Sequence, residues 1–116
     1  MELNGSTPKL RQEETELFLP DLSPFLDKDG RLISFPAKHK KKLMALWYLA
    51  GKIEADRPYT ESEINTLLDE WTLFHDPATV RRELYNKRLL GRTADCRCYR
   101  KANSIPTFEE FAEKYV

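Results

Sequence analysis

The sequence predicts a mainly α-helical domain closed by one small β-hairpin, an α+β fold, and three observations predict it. Apolar residues recur at three- and four-residue spacing in separate segments between Ala37 and Lys87. Two of those segments open with strong helix-start signals, Thr60 with Glu63 and Asp76 with Pro77. An arginine-rich stretch, 90–101, then reads as two short strands around a turn. Three helices, the last two joined by a short turn, followed by a hairpin, give the order of a winged helix-turn-helix. The division that follows is an acidic N-terminal arm over 1–22, a winged-helix-like domain over 23–101 and a C-terminal helix over 102–116.

Taken in order, residues 1–16 are polar and rich in Glu after Gly5-Ser6-Thr7-Pro8, and read as a tail. Ser23 followed by Pro24 suits the N-cap and first position of a short helical turn. Asp27-Lys28-Asp29-Gly30 is a turn string, and Arg31–Phe35 has the composition of a short strand ending at Pro36. The Asp-x-Asp-Gly spacing resembles the opening of a calcium loop. Arg31, Leu32 and Ile33 supply none of the further oxygen ligands such a loop needs, so a plain turn is expected.

The first helix is expected from Ala37 to about Lys52, with Leu43, Leu46, Trp47, Ala50 and Ile53 on one face and Gly51 near its end. The second starts at a Thr60–Glu63 capping box and carries Ile64, Leu67, Leu68 and Trp71 as its core stripe. Asp76 caps the third, which runs from Pro77 to Lys87. At roughly 100° per residue, Val80 and Leu84 share one side, while Arg82 and Asn86 point almost opposite with Ala78, Thr79 and Tyr85 near them. Thr107 caps a last helix with the stripe Phe108, Phe111, Ala112 and Tyr115.

At 116 residues the chain can form one core without disulfide or metal staples. Cys96 and Cys98 stand too close together to staple a fold. No apolar run approaches the roughly 18 residues of a membrane span, and no basic region leads into an apolar stretch at Met1–Gly5, so a cytoplasmic location and no membrane partner are expected. Nineteen Lys and Arg balance nineteen Asp and Glu, but the charges are sorted. Residues 1–30 hold three basic against seven acidic groups, residues 31–101 fifteen against nine, and residues 102–116 one against three. A ligand responds to charge within a Debye length of roughly 8 Å, so a basic body between acidic ends points to a polyanionic partner. Acidic ends that fold back onto the body are the alternative.

The exposed side of the third helix offers the chemistry of base reading. Arg82 suits guanine, Asn86 suits adenine, and Thr79 suits a phosphate or a thymine methyl group. Arg92, Arg97 and Arg100 line the hairpin with cations suited to phosphates. Lys38, Lys40 and Lys41 extend the candidate site to the start of the first helix, where cations oppose the helix dipole. Phosphate binding or pairing with Glu13, Glu14, Glu16, Asp21, Asp27 and Asp29 accounts for them equally well. The expected function is therefore a double-stranded-DNA-binding transcriptional regulator, with the third helix (about 77–87) as recognition helix and 90–101 as wing. The other reading is a protein-interaction module on the same scaffold, and Phe108, Phe111 and Tyr115 are a candidate homodimer surface. No enzyme, metal or cofactor is expected. Cys96-x-Cys98 lacks the gap of common zinc sites, His39 and His75 lie far away in sequence, and no catalytic motif occurs.

Several segments between Phe25 and Lys101 resemble, in the right order, the bacterial domain of unknown function numbered 2087. They are Phe25–Leu32, Pro36-Ala37-Lys38 with the following lysines, Leu46–Ala50, Tyr59–Asn65, Asp76–Leu84, Leu89-Leu90 and Tyr99-Arg100. The resemblance implies a winged-helix-like domain with a role in transcription and no catalytic motif. Two departures stand out: Arg88 where the family usually has Gly, and Asp95-Cys96 where it often has Asp-Gly. Losing glycine disfavours positive φ, so local changes at the helix end and hairpin tip are expected.

Overall fold

A computed structural model describes residues 21–95 and 97–115 of the chain. Among the described residues four α-helices and one hairpin follow in order: α1 His39–Ala50, α2 Glu61–Glu70, α3 Pro77–Asn86, β1 Leu90–Arg92, β2 Tyr99–Lys101 and α4 Phe108–Tyr115. The fold is mixed α and β. The N-terminal arm lies outside the described residues except for Asp21 and Leu22.

Helix α1 is the centre of the core. Leu43, Met44, Ala45 and Leu46 are buried in succession, with Leu49 and Ala50 a turn later, because α3 and α4 both pack against it. Burial on so many sides goes beyond the one-face stripe expected from spacing. The helix ends at Ala50, and Gly51 keeps right-handed geometry while its N–H reaches the carbonyls of Trp47 and Tyr48.

Helices α2 and α3 start where the sequence places them. Thr60 Oγ1 accepts from the Glu63 N–H at 3.0 Å, and Glu63 Oε1 accepts from the Thr60 N–H at 2.9 Å, a full capping box. The Asp76 carboxylate accepts from the Thr79 N–H at 3.3 Å, with Pro77 in the first turn. Ile64 and Leu68 of α2 and Val80 and Leu84 of α3 are fully buried. Thr107 and Glu110 form the same reciprocal pair at the start of α4, with both bonds at 3.2 Å.

The N-terminal part of the described chain differs from expectation in two ways. Ser23 is not a cap: it lies inside a 3₁₀ turn, Ser23–Phe25, behind Leu22, and no side-chain cap bond forms. Residues 31–35 do not make a regular strand. Only Leu32 bridges, to Leu26 on one side and to Thr72 on the other. The flanks explain why. Arg31 belongs to the turn, since Asp27 Oδ1 accepts from its N–H and Oδ2 from its Nε, and Pro36 has no N–H to continue a ladder. Asp27 Oδ1 also accepts from the Asp29 N–H, so this carboxylate closes a turn from within. Those N–H bonds, that of Arg31 first, hold the Asp27 carboxyl below its usual pKa.

The hairpin pairs antiparallel as Leu90–Lys101, Gly91–Arg100 and Arg92–Tyr99. Tyr59, between α1 and α2, exchanges two backbone bonds with Tyr99, at 2.8 and 2.7 Å, and so adds a single extended residue beside β2.

Arg88 corrects the expectation drawn from its lost glycine. Its φ is +65°, so the backbone keeps the left-handed conformation with a side chain in place. The Leu89 N–H bonds the Leu84 carbonyl at 2.9 Å and the Arg88 N–H bonds that of Tyr85 at 3.0 Å, the two bonds of a Schellman C-cap. Leu84 and Leu89 are both buried, which holds the motif in place. Arg88→Gly is therefore expected to raise stability by about 1 kcal/mol, seen as a higher urea midpoint with an unchanged slope.

Candidate nucleic-acid interface

Charge within the basic body is concentrated further than the sequence segments suggested. Residues 31–76 hold seven basic and seven acidic side chains, whereas residues 77–101, which are α3 and the hairpin, hold eight basic against two acidic. The whole surplus of six positive charges belongs to those two elements.

Their arginines fall into two sorts. Arg81 is largely buried, with a side chain 16% exposed. It donates to Asn65 Oδ1 at 2.5 Å, lies 3.9 Å from a Glu61 carboxylate oxygen, and places its guanidinium 5.6 Å from the centre of the Tyr99 ring. One side chain thereby ties α3 to α2 and to the hairpin. Lys87 is bound too, to Glu83 at 3.2 Å. By contrast, Arg82 and Asn86 are exposed, and their side chains have no hydrogen-bond or ion-pair partner among the described residues.

Between α3 and the hairpin lies a hollow of about 240 Å³ lined by Arg81, Arg82, Tyr85, Asn86, Arg92 and Tyr99. Arg92 places its guanidinium 4.3 Å from the centre of the exposed Tyr85 ring, across the gap between the two elements. Three of the expected site residues, Arg82, Asn86 and Arg92, thus share one surface. Thr79 stands half-buried in the first turn of the same helix.

Arg97 and Arg100 are exposed on the hairpin. At its tip the Thr93 hydroxyl donates to Asp95 Oδ1 at 2.6 Å and the Arg97 N–H donates to the same oxygen at 3.1 Å. These bonds, the Thr93 hydroxyl first, hold the Asp95 carboxyl below its usual pKa. The tip is ordered by Asp95; Cys96, the other half of the expected departure there, lies outside the described residues.

Lys38, Lys40 and Lys41 belong to a different element from α3 and the hairpin. They stand at the start of α1, where the His39 Nε2–H donates to the Tyr115 carbonyl at 2.6 Å. The C-terminal end of α4, the negative end of its dipole, therefore faces the lysine cluster and offsets part of its charge. The carboxylates Asp27 and Asp29 bind Arg31 instead of these lysines. Glu13, Glu14 and Glu16 lie outside the described residues.

The apolar stripe of α4 is covered by the chain itself. Phe111 is 1% exposed, the Phe108 ring packs edge-on against Trp47, the Trp47 Nε1–H donates to the Pro106 carbonyl, and the Tyr115 hydroxyl donates to the Lys87 carbonyl. Phe111 accordingly stands in this domain's core, and Phe108 and Tyr115 pack against it half-buried. Among the described residues no three His, Cys, Asp or Glu side chains gather as a metal site, and no helix is long and apolar enough to cross a membrane.

Residues 31–101, more than half of the chain, match the family described as Uncharacterized protein conserved in bacteria (DUF2087). The chain belongs to this family. No curated protein and no solved structure matches it. The DUF2087 match spans α1 to the end of β2, and so contains the whole of the basic surface, while α4 lies beyond it.

Arg81 was not singled out by helical phase, because it lies between the buried and exposed sides of α3. The available signal was on α2, where Glu61 and Asn65 fall four residues apart and offer two acceptors in a row. Arg81→Ala is expected to destabilise the fold by about 1–2 kcal/mol through the lost bond to Asn65, with little from the half-exposed Glu61. Its neighbour Arg82→Ala should stay within about 0.5 kcal/mol, and paired urea denaturation curves check the contrast.

Proposed function

We propose that this chain is a double-stranded-DNA-binding regulator of transcription built as a winged helix-turn-helix, with a binding and not a catalytic task. In that reading α2 braces α3, α3 enters the major groove, and the hairpin is the wing. The order of elements supports it, as does the single extended residue Tyr59 lying beside the hairpin between α1 and α2. The observation that carries the reading is the unpartnered Arg82 and Asn86 on the exposed side of α3, within the segment that holds all the surplus positive charge. Arg82 has the donor fork for guanine O6 and N7, and Asn86 the paired donor and acceptor for adenine. Thr79 sits at the entry of the helix, and Arg92, Arg97 and Arg100 meet phosphates. Lys38, Lys40 and Lys41, at the start of α1, are further candidate phosphate contacts.

One observation favours a protein-interaction module as a second reading. Ile33 and Leu73 are 45% and 37% exposed and follow directly on the Leu32–Thr72 bridge, so two large apolar side chains stand together at the α2–α3 turn. A salt titration on duplex DNA separates the two. The log–log slope should lie near −4 to −6 if about five or six phosphates are neutralised. Absence of duplex binding at low salt rejects the DNA reading.

A further inference from the structure

The basic surface continues from the end of α3 along the hairpin, past the residues assigned above. A hollow of about 400 Å³ lies at the α3–β1 junction, lined by Tyr85, Asn86, Arg88, Leu90, Gly91 and Ala102. A second, of about 330 Å³, shares Gly91 and Ala102 with it and continues past Arg92, Arg100 and Lys101. The two hollows adjoin at Gly91 and Ala102 as one open surface groove would require, and no acidic side chain lines either part.

Two features of this groove lack a structural explanation within the chain. Arg88 occupies a left-handed position that glycine fills without strain, and its exposed guanidinium has no partner among the described residues. Lys101 is half-buried, and no carboxylate pairs with it among the described residues. Burial pulls its ammonium below the usual lysine range, as happens when a cation loses water without gaining an anion. A bound anion answers both: it gives Lys101 its counter-charge and gives Arg88 a reason to be arginine.

We propose that the groove from Arg88 past Gly91 and Ala102 to Lys101 and Arg100 holds a phosphodiester backbone, so that the hairpin is gripped along its length and not only at its tip. The proposal rests on the DNA reading above, and adds Arg88 and Lys101 as phosphate contacts. Asn86 lies at the boundary, lining both this groove and the hollow that contains Arg82. The backbone beside the bases read by α3 therefore continues directly into the groove.

The test uses the full chain with Arg88→Gly and Lys101→Met, each titrated with salt on one duplex. Arg88→Gly relieves backbone strain, and Lys101→Met keeps the apolar stem while removing the unpaired charge, so both variants should fold. Each is expected to make the log–log slope shallower by about one. Arg88→Gly should do so while raising the melting temperature, a combination that a purely structural role does not produce. Wild-type slopes in both variants, with duplex binding intact, overturn the groove and leave the α3 reading standing. A wild-type chain that binds no duplex overturns both.

Discussion

The guanidinium of Arg81 lies where α2, α3 and the hairpin meet, bonded to Asn65, close to Glu61 and over the ring of Tyr99. Tyr99 is in turn locked by two backbone bonds to Tyr59, and Tyr59 is buried. The orientation of α3 relative to the hairpin therefore depends on a charged joint with partners on both sides. Arg82 and Asn86 gain a fixed direction from it, since Val80 and Leu84 anchor the opposite side of the same helix in the core. A site for reading bases needs this kind of stiffness, because a displacement of about 1 Å is enough to lose a bidentate contact.

Charge placement follows the same division. Helix α2 carries Glu61, Glu63, Asp69 and Glu70 and no basic residue, directly before the basic α3. A polyanion is repelled from one helix and drawn to the next, which orients its approach as well as strengthening it. The neutral total charge of the chain conceals this, because among the described residues the acidic groups of α2 and the basic groups of α3 and the hairpin fall on separate elements.

Local rules made much of the fold legible. The Thr60–Glu63 box, the Asp76–Pro77 start and the Thr107 cap each depend on residues three apart, and each forms as read. The phase of α3 separated Val80 and Leu84 from Arg82 and Asn86 correctly for the same reason. What escaped was tertiary. Leu32 pairs as a single residue with nearby Leu26 and with distant Thr72, so no periodicity marks it. Arg88 keeps a positive φ because Schellman bonds and two buried leucines hold it, against its own intrinsic preference. His39, set among the lysines at the start of α1, bonds the end of α4, 76 residues away along the chain.

The proposed function depends above all on Arg82 reading a base from α3. Selection of bound sequences from a random duplex pool, run in parallel with the wild-type chain and Arg82→Ala, tests it most directly. A sequence preference containing guanine is expected for the wild type, lost in Arg82→Ala while weak, salt-sensitive binding remains. The same preference recovered from both proteins contradicts it.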